Sequence, residues 1–296
     1  MTSIRYTRSL IFLAIVACTR SASSPAGLPP EPLVGNHPAS SPVVIRPGKS
    51  WTLTADSSPR HYLSTAQTTV ELADSATIRD QVTRRVVFNL AFSTSSSGTR
   101  AVASIHEVSL SAGNRIGPSL PPVSLPFTIE GQIADGSLAL QTATGQSGPG
   151  VLDCNNPVMA AFPSLQRAIV ITPATVNSGM TWRDSSSTSS CSGSVPVSLT
   201  IIREYQVLGS SSYSGMPSIL LERREIASFK GEGSQNQHRI LISGTGTASS
   251  QIHLHPVSGQ LMSLDGEHQA DLVVISSGRL QKFRQVTREV ISEVSN

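Results

Sequence analysis

Val197-Ser198-Leu199-Thr200-Ile201-Ile202-Arg203-Glu204-Tyr205-Gln206-Val207-Leu208 is the stretch that decides the fold. β-branched and aromatic residues dominate it, and a segment rich in serine and glycine, Gly209 to Gly215, separates it from a second such run at 218–226. Strand-forming runs on both sides of a turn are typical of a β-hairpin. We therefore predict a hairpin here.

The N-terminal half contains the same pattern. Residues 84–92 are β-prone, the segment from Ser95 to Gly98 has turn composition, and residues 100–110 are β-prone again. Each half then adds another predicted pair of strands, 127–133 with 137–140 and 239–246 with 251–255. Three glycines inside these strands predict bulges or sharp bends, Gly131, Gly244 and Gly246.

A short motif occurs once in each half. Residues 43–51 and 174–182 both read aliphatic-x-x-Gly-x-(Ser/Thr)-Trp, and Trp51 and Trp182 are the two tryptophans of the chain, 131 positions apart (182 minus 51). A glycine turn followed by a large aromatic residue suits the start of a buried strand. The repeat predicts a tandem duplication.

The last segment, 279–294, fits two patterns. Its apolar residues match a helical stripe moderately well, but its Val, Thr and Ile content is typical of a strand, and we favour a closing strand. Further strands are predicted at 259–264 and 270–275.

The best helical segment lies between the halves. Asn155 or Asn156 can cap it, Pro157 fits its first turn, and Val158, Met159, Phe162 and Leu165 fall on one side. Pro163 is expected to limit or kink this helix.

These patterns predict an all-β protein of two similar antiparallel, strongly curved sheets, half-barrel-like units joined by a short helical connector. The expected segments are a signal peptide at 1–17, a lipidated cysteine and flexible tether at 18–42, an N-terminal β unit at 43–150, a connector at 151–172 and a C-terminal β unit at 173–296.

The amino terminus has the features of an export signal. Arg5 and Arg8 precede an unbroken apolar run from Leu10 to Ala17, which is far shorter than the roughly 20 residues needed to span a bilayer. Ser-, Pro- and Ala-rich residues 19–42 follow and predict a semi-extended tether.

Ile15-Val16-Ala17-Cys18 resembles the lipobox of bacterial lipoproteins. The resemblance implies cleavage after Ala17 and acylation of Cys18, which would anchor the chain in a lipid bilayer. Thr19, in place of the aspartate that retains many lipoproteins at the inner membrane, favours the outer membrane, on its periplasmic face or at the surface. An ordinary secretory signal is the alternative.

Composition gives no argument for a nucleic-acid partner. The formal charge is +3, and removal of residues 1–17 with their two arginines leaves +1. With Cys18 assigned to lipid, Cys154 and Cys191 remain, and two thiols in an oxidising compartment predict a disulfide. A two-cysteine metal site is the alternative, but no histidine lies at ligand spacing.

Few residues suggest a catalytic, phosphate-binding or metal-binding site. The chain lacks a Gly-x-Ser-x-Gly nucleophile elbow and a phosphate-binding loop. His253 and His255 lie two apart on a predicted strand, so both are expected to face the same side, where together with His268 or Glu267 they could bind zinc or copper. The favoured interpretation is a solvated pair on an outer face, and no metal site is predicted.

Ionisable residues elsewhere have ordinary interpretations. Asp184 is expected to be a turn or cap residue, and Asp153 lies beside Cys154. Arginines on strands are expected on solvated or edge faces, and the basic spots are Arg84-Arg85, Arg223-Arg224, and Lys282, Arg284 and Arg288.

Residues 150–290 resemble an uncharacterised class of exported bacterial β proteins, often lipoproteins. The shared motifs are Cys154, Thr181-Trp182-Arg183-Asp184-Ser185, Cys191, Tyr205-Gln206-Val207-Leu208-Gly209, Gly244-Thr245-Gly246 and Ser258-Gly259. The resemblance implies a fold and a compartment, and no activity.

The function expected from these features is that of a non-enzymatic, membrane-anchored envelope lipoprotein without a cofactor. It would bind a lipid, another apolar ligand or an envelope protein on a concave sheet face. The alternatives are a purely structural or assembly lipoprotein and a metal-dependent hydrolase.

Overall fold

The computed structural model describes residues 48–54, 56–95, 98–112, 125–134, 137–142, 154, 157–192, 195–235 and 238–294. The signal peptide, Cys18, the tether and Asp153 lie outside the described residues. Within the described chain, no helix has the length and apolar character needed to cross a membrane.

The described chain is nearly all β-strand. The strands of the N-terminal half are β1 (Ser50–Thr52), β2 (Arg60–Leu72), β3 (Ile78–Ser95), β4 (Gly98–Ala112), β5 (Phe127–Ala134) and β6 (Ser137–Thr142). Those of the C-terminal half are β7 (Thr175–Asn177), β8 (Thr181–Ser192), β9 (Val195–Tyr213), β10 (Met216–Gln235), β11 (His238–Leu254), β12 (Leu261–Ser276) and β13 (Arg279–Glu293). A 3₁₀ turn (Pro157–Ala161) and helix α1 (Phe162–Ala168) lie between the halves.

Eleven of the described strands form one antiparallel sheet, in the order β6-β5-β4-β3-β2-β13-β12-β11-β10-β9-β8. The halves join where β2 pairs with β13, from Leu72 opposite Phe283 to Tyr62 opposite Glu293. A two-stranded sheet of β1 and β7 completes the fold.

The prediction of two separate, strongly curved, half-barrel-like sheets is therefore wrong, although the all-β, antiparallel class is confirmed. The large sheet is continuous, is neither strongly curled nor closed, and does not divide clearly into two similar units. The physical reason is that β2 and β13 would each be an unpaired edge if the halves were separate, and pairing satisfies both edges at once.

The two tryptophan motifs also differ in their surroundings. Trp51 lies on β1 opposite Val176 of β7, so the first motif pairs with the second. Trp182 lies on β8, stacks on Tyr205 at 4.8 Å between ring centroids, and donates from Nε1 to the carbonyl oxygen of Ile171.

Local strand predictions are confirmed for both hairpins, for β5 with β6, and for the closing strand β13. The turn between β9 and β10 is shorter than predicted. It consists of Ser214 and Gly215, whose positive φ angles of 49° and 80° suit a two-residue hairpin connection.

The predicted breaks inside β11 and β12 are wrong. The segments 239–246 and 251–255 are parts of one strand, β11, and Gly244 and Gly246 keep regular register with both neighbours. These glycines serve close packing: a Cβ on Gly244 would collide with the ring of Phe229, which lies opposite it, and one on Gly246 would lie 2.9 Å from the carbonyl oxygen of Gln269.

The connector helix is also shifted from its predicted place. Residues 157–161 form a 3₁₀ turn, and α1 begins only at Phe162, with Pro163 in its first turn. Pro163 thus starts the helix, because the first turn tolerates a residue without an N–H donor.

Helix α1 packs on one face of the large sheet, which we call the inner face. Its buried Phe162, Leu165 and Ala168 join a core with side chains from both halves, including Tyr62 and Ile252. The helix therefore decides which sheet residues face protein and which face open space.

Candidate ligand-binding cavity and its ionic network

Directly opposed residues of neighbouring strands form three parallel rows on the inner face, each two positions from the next. The ionic row runs through Arg84, Ala66, Glu289, Gly266, Ser250, Arg223, Tyr205 and Trp182. The polar row runs through Thr287, His268, Ala248, Glu225, Arg203 and Asp184. The small row runs through Gln285, Ala270, Gly246, Ala227 and Ile201.

Glu289 is the centre of the first ionic group, with a side chain that is 0% exposed. Its Oε1 accepts hydrogen bonds from Ser64 Oγ at 2.8 Å and Ser164 Oγ at 2.7 Å, and lies 3.2 Å from Arg84 Nη2. Its Oε2 pairs with Arg167 Nη1. Because Ser164 and Arg167 belong to α1, this carboxylate fixes the helix to the sheet.

The second ionic group lies on β8, β9 and β10. Arg203 Nη1 is 3.1 Å from Asp184 Oδ1, and Arg223 Nε is 2.8 Å from Glu225 Oε1. Arg203 Nε also lies 3.7 Å from the same Glu225 oxygen. Arg223 connects the group to the helix, since its Nη1 donates to the carbonyl oxygen of Arg167 at 3.2 Å.

Burial and neighbouring charge set the ionisation of these groups. Burial alone would raise the pKa of Glu289, but Arg167, Arg84 and the two serine hydroxyls outweigh it and lower the pKa below its usual range. In Glu225 burial is likewise outweighed, first by Arg223, and its pKa is lowered. Burial, reinforced by Arg167, lowers the pKa of His268 to about 3, so this imidazole is neutral at pH 7.

The two groups differ in their charge balance at neutral pH. In the second group two arginines face two carboxylates, those of Asp184 and Glu225. In the first group Arg84 and Arg167 share the single carboxylate of Glu289. One positive charge is therefore surplus, and it lies in the first group.

A cavity of about 180 Å³ lies between α1 and strands β8 to β13. The small row and the polar row from Thr287 to Arg203 form its floor, while Pro163, Gln166 and Arg167 of α1 form its roof. Leu199 and Phe229 line the side away from the ionic row. The space is thus apolar at one end and charged at the other.

The cavity exists because its floor carries small side chains. Ala227, Gly246, Ala248 and Ala270 occupy inner-face positions where longer chains would fill the space below the helix. An engineered apolar cavity of roughly 150 Å³ takes up benzene, so a space of this size suits a small ring or a short alkyl chain.

Helix α1, which forms the roof of the cavity, is linked to the edge of the sheet as well as to Glu289. Gln166 Nε2 donates to Thr188 Oγ1 of β8 at 3.2 Å. The predicted disulfide is present between Cys154, ahead of the 3₁₀ turn, and Cys191 at the end of β8. Both links hold the connector against the C-terminal strands.

The structure does not bring the candidate metal ligands together. β11 ends at Leu254 after a register shift next to His253, so His255 lies outside the strand and the expected alternation does not apply. His253 is buried, with Nδ1 2.9 Å from Ser218 Oγ, while His255 Nδ1 accepts from the backbone N–H of Ser258 in the following loop. No group of three potential metal ligands was found among the described residues.

The other candidate ligands are distant or exposed. His268 lies opposite Ala248, whereas His253 lies opposite Ser263, five residues away along β12 and hence about 16 Å distant. Glu267 lies on the opposite face and pairs with Arg288 at 2.8 Å.

Two ordinary interpretations of charged residues are also corrected. Asp184 is neither a turn nor a cap residue, because it lies within β8 and pairs with Arg203. Arg84 and Arg223 lie on the inner face, while their neighbours Arg85 and Arg224 are on the solvated side. The signal was available in the sequence: successive strand residues alternate, so one arginine of each pair had to point inward.

Comparisons with known proteins add no family. No family model matches the chain, and no curated protein matches it. Among solved structures, a crystal structure of OpdQ from Pseudomonas aeruginosa aligns over 80% of this chain and 97% of its own, at 8% identity and a TM-score of 0.17. A likeness of that size carries no argument about fold or function.

Proposed function

We propose that this chain is the body of a membrane-anchored, non-enzymatic envelope lipoprotein that binds a small amphipathic ligand. The cavity below α1 is the observation that carries the proposal, because it joins an apolar floor to a charged wall. On the other side of the ionic row, core side chains of both halves are packed together with α1.

The physical basis is the pairing of two kinds of lining. Ala227, Gly246 and Leu199 offer apolar surface, whose transfer from water drives binding of an alkyl or aryl group. Arg167, Arg203 and Glu225 offer polar contacts that fix one end of the ligand. Binding pockets commonly combine many apolar groups with a few placed polar ones.

Filling the cavity tests this function. In the exported full chain carrying Cys18→Ser, Ala227→Leu places a branched side chain on the cavity floor, and Ser228→Leu places the same side chain on the opposite, exposed face. We expect mass spectrometry of organic extracts to find a bound small molecule in the parent and in Ser228→Leu, and to find it lost in Ala227→Leu. Equal recovery from both variants, with both folded by circular dichroism, would contradict the proposal.

Anchoring is a separate part of the proposal and rests on the resemblance of Ile15-Val16-Ala17-Cys18 to a lipobox. Globomycin, or Cys18→Ser, should change the apparent mass and release the protein from membrane fractions. Unchanged mass and fractionation would refute lipidation but would not contradict the proposal that the cavity binds a ligand.

A further inference from the structure

We infer that the cavity recognises a single carboxylate head group, held by Arg167 beside His268. This inference rests on the proposed ligand-binding function and specifies the chemical class of the ligand. It follows from where the surplus charge lies, which donors are free to bind, and how large the space is.

The surplus positive charge borders the cavity. Of the two arginines that share Glu289, Arg84 does not line the cavity, whereas Arg167 forms part of its roof. Glu289 is 0% exposed and so is fully used by its protein partners, while the Arg167 side chain remains 19% exposed. A ligand that reaches the cavity therefore meets Arg167 and not its counter-ion.

Arg167 has guanidinium N–H groups that can donate to a ligand. Its guanidinium carries five N–H groups in a fixed fork, and in the described part of the chain its side chain makes one pair, from Nη1 to Glu289. Such a fork binds a carboxylate through two parallel hydrogen bonds. A second carboxylate on Arg167 would also balance the first ionic group, since two arginines would then face two carboxylates.

His268 provides the second polar contact. It lines the cavity, its Nδ1 lies 3.9 Å from Glu225 Oε2, and its buried Nε2 has no hydrogen-bond partner among the described residues. A buried polar atom without a partner is costly, and a ligand oxygen next to it would remove that cost.

Charge argues against dianionic and cationic head groups, and volume limits the size of the apolar part. A phosphate monoester with about two negative charges would turn the surplus into a deficit, and a cationic head would double the surplus. The volume of about 180 Å³ suits a short alkyl or aryl group. A short-chain carboxylic acid combines the right charge with the right size.

The test compares three probes of equal chain length by calorimetry at pH 7, on the full chain carrying Cys18→Ser. Octanoate is expected to bind at least tenfold more tightly than 1-octanol, and octylamine is expected not to bind. If octanol binds as tightly as octanoate, recognition of a carboxylate is refuted, and the proposal that the cavity binds a small amphipathic ligand stands. If neither binds, both proposals fail.

Two variants locate the contact. Arg167→Gln leaves Glu289 paired with Arg84, a balanced pair, so the fold should persist. We expect the octanoate affinity of this variant to fall to its octanol affinity. Arg84→Gln removes the other partner of Glu289 away from the cavity and should change octanoate affinity less than threefold. Equal losses in the two variants would refute Arg167 as the binding residue.

Discussion

The inner face of the sheet follows the same alternation on both sides of the ionic row, but with side chains of different size. On one side, strands of both halves carry large residues that are fully buried, among them Tyr62, Phe88 and Ile252. On the other side, the polar and small rows of β9 to β13 carry alanine, glycine and charged residues instead. The first region is core, and the second is a floor with space above it.

The difference shows that one sheet can combine a packed region with an open one. Large apolar side chains contribute stability through burial, while small ones below a bridging helix leave volume. The ionic row marks the boundary between the regions, because on β13 Ile291 on one side of Glu289 is fully buried in the core and Thr287 on the other side lines the cavity. Stability and binding are therefore expected to depend on different segments of the same strands.

The largest expected effect is at that boundary. Glu289→Gln leaves Arg84 and Arg167 without a carboxylate, and removing one partner of a buried ion pair costs about 3–5 kcal/mol of unfolding free energy. Urea denaturation at pH 7 measures it. The matched control is Glu267→Gln, an exposed residue paired with Arg288, with an expected cost below about 1 kcal/mol. Similar costs for the two variants would refute the central role of Glu289.

The packed and open regions should also differ in their response to truncation. Phe88→Ala removes a fully buried ring that stacks on Tyr62 at 5.4 Å, and we expect a loss of about 3–5 kcal/mol. Phe229→Ala removes a half-buried ring at the cavity rim and should cost roughly 1–2 kcal/mol. Denaturation of both variants in the same buffer checks the order, and a reversed order would contradict the assignment of core and floor.

The smallest effect is a pH dependence that belongs to the open region. His268 faces Arg167 of α1, Glu225 and Arg223 of β10 and Glu289 of β13, and its folded-state pKa is lowered from 6.5 to about 3. Below about pH 6.5 the unfolded chain therefore binds a proton at this residue that the folded chain does not. The stability that neutral His268 contributes is complete above about pH 7 and is lost as the pH falls toward 3.

Between pH 6.5 and 5, the unfolding free energy of the wild type should fall with decreasing pH more steeply than that of His268→Gln. The two slopes should differ by at most about 1.4 kcal/mol per pH unit. The lowered pKa values of Glu225 and Glu289 act at lower pH, since their unfolded carboxyls take up protons near 4.5. The control is the same pair of proteins between pH 7 and 8, where His268 is neutral in the folded and the unfolded chain and the two slopes should coincide. A slope identical in the wild type and in His268→Gln in the lower pH range would show that His268 is not held neutral by the fold.

Local features of the fold could be predicted from the sequence, and non-local ones could not. The hairpin of β9 and β10 follows from two β-branched runs and the turn residues between them. The unbroken β11 was missed because Gly244, Gly246, Ser249 and Ser250 have turn composition, and only packing against β10 and β12 keeps them extended. The β2–β13 joint has no local signal at all.

The candidate site was missed for a similar reason. Its floor consists of alanines and glycines, which have no chemical signature, and its charged wall brings Arg167 of the connector to Glu289, more than a hundred positions away along the chain. The alternation within Arg84-Arg85 and Arg223-Arg224 was the one readable sign that charges lie inside. The partners of those charges depend on the register of the sheet.

The joint between β2 and β13 has a consequence for how the protein forms. Leu72 and Phe283 face each other across about 200 residues of intervening chain, so the centre of the sheet closes only after β13 has been delivered. Until then β2 presents an unpaired edge that can capture another copy of the chain. In chain order the C-terminal half runs from the edge strand β8 to the middle, so β13 is the last strand available for pairing. Folding should be slow because this pairing is distant along the chain.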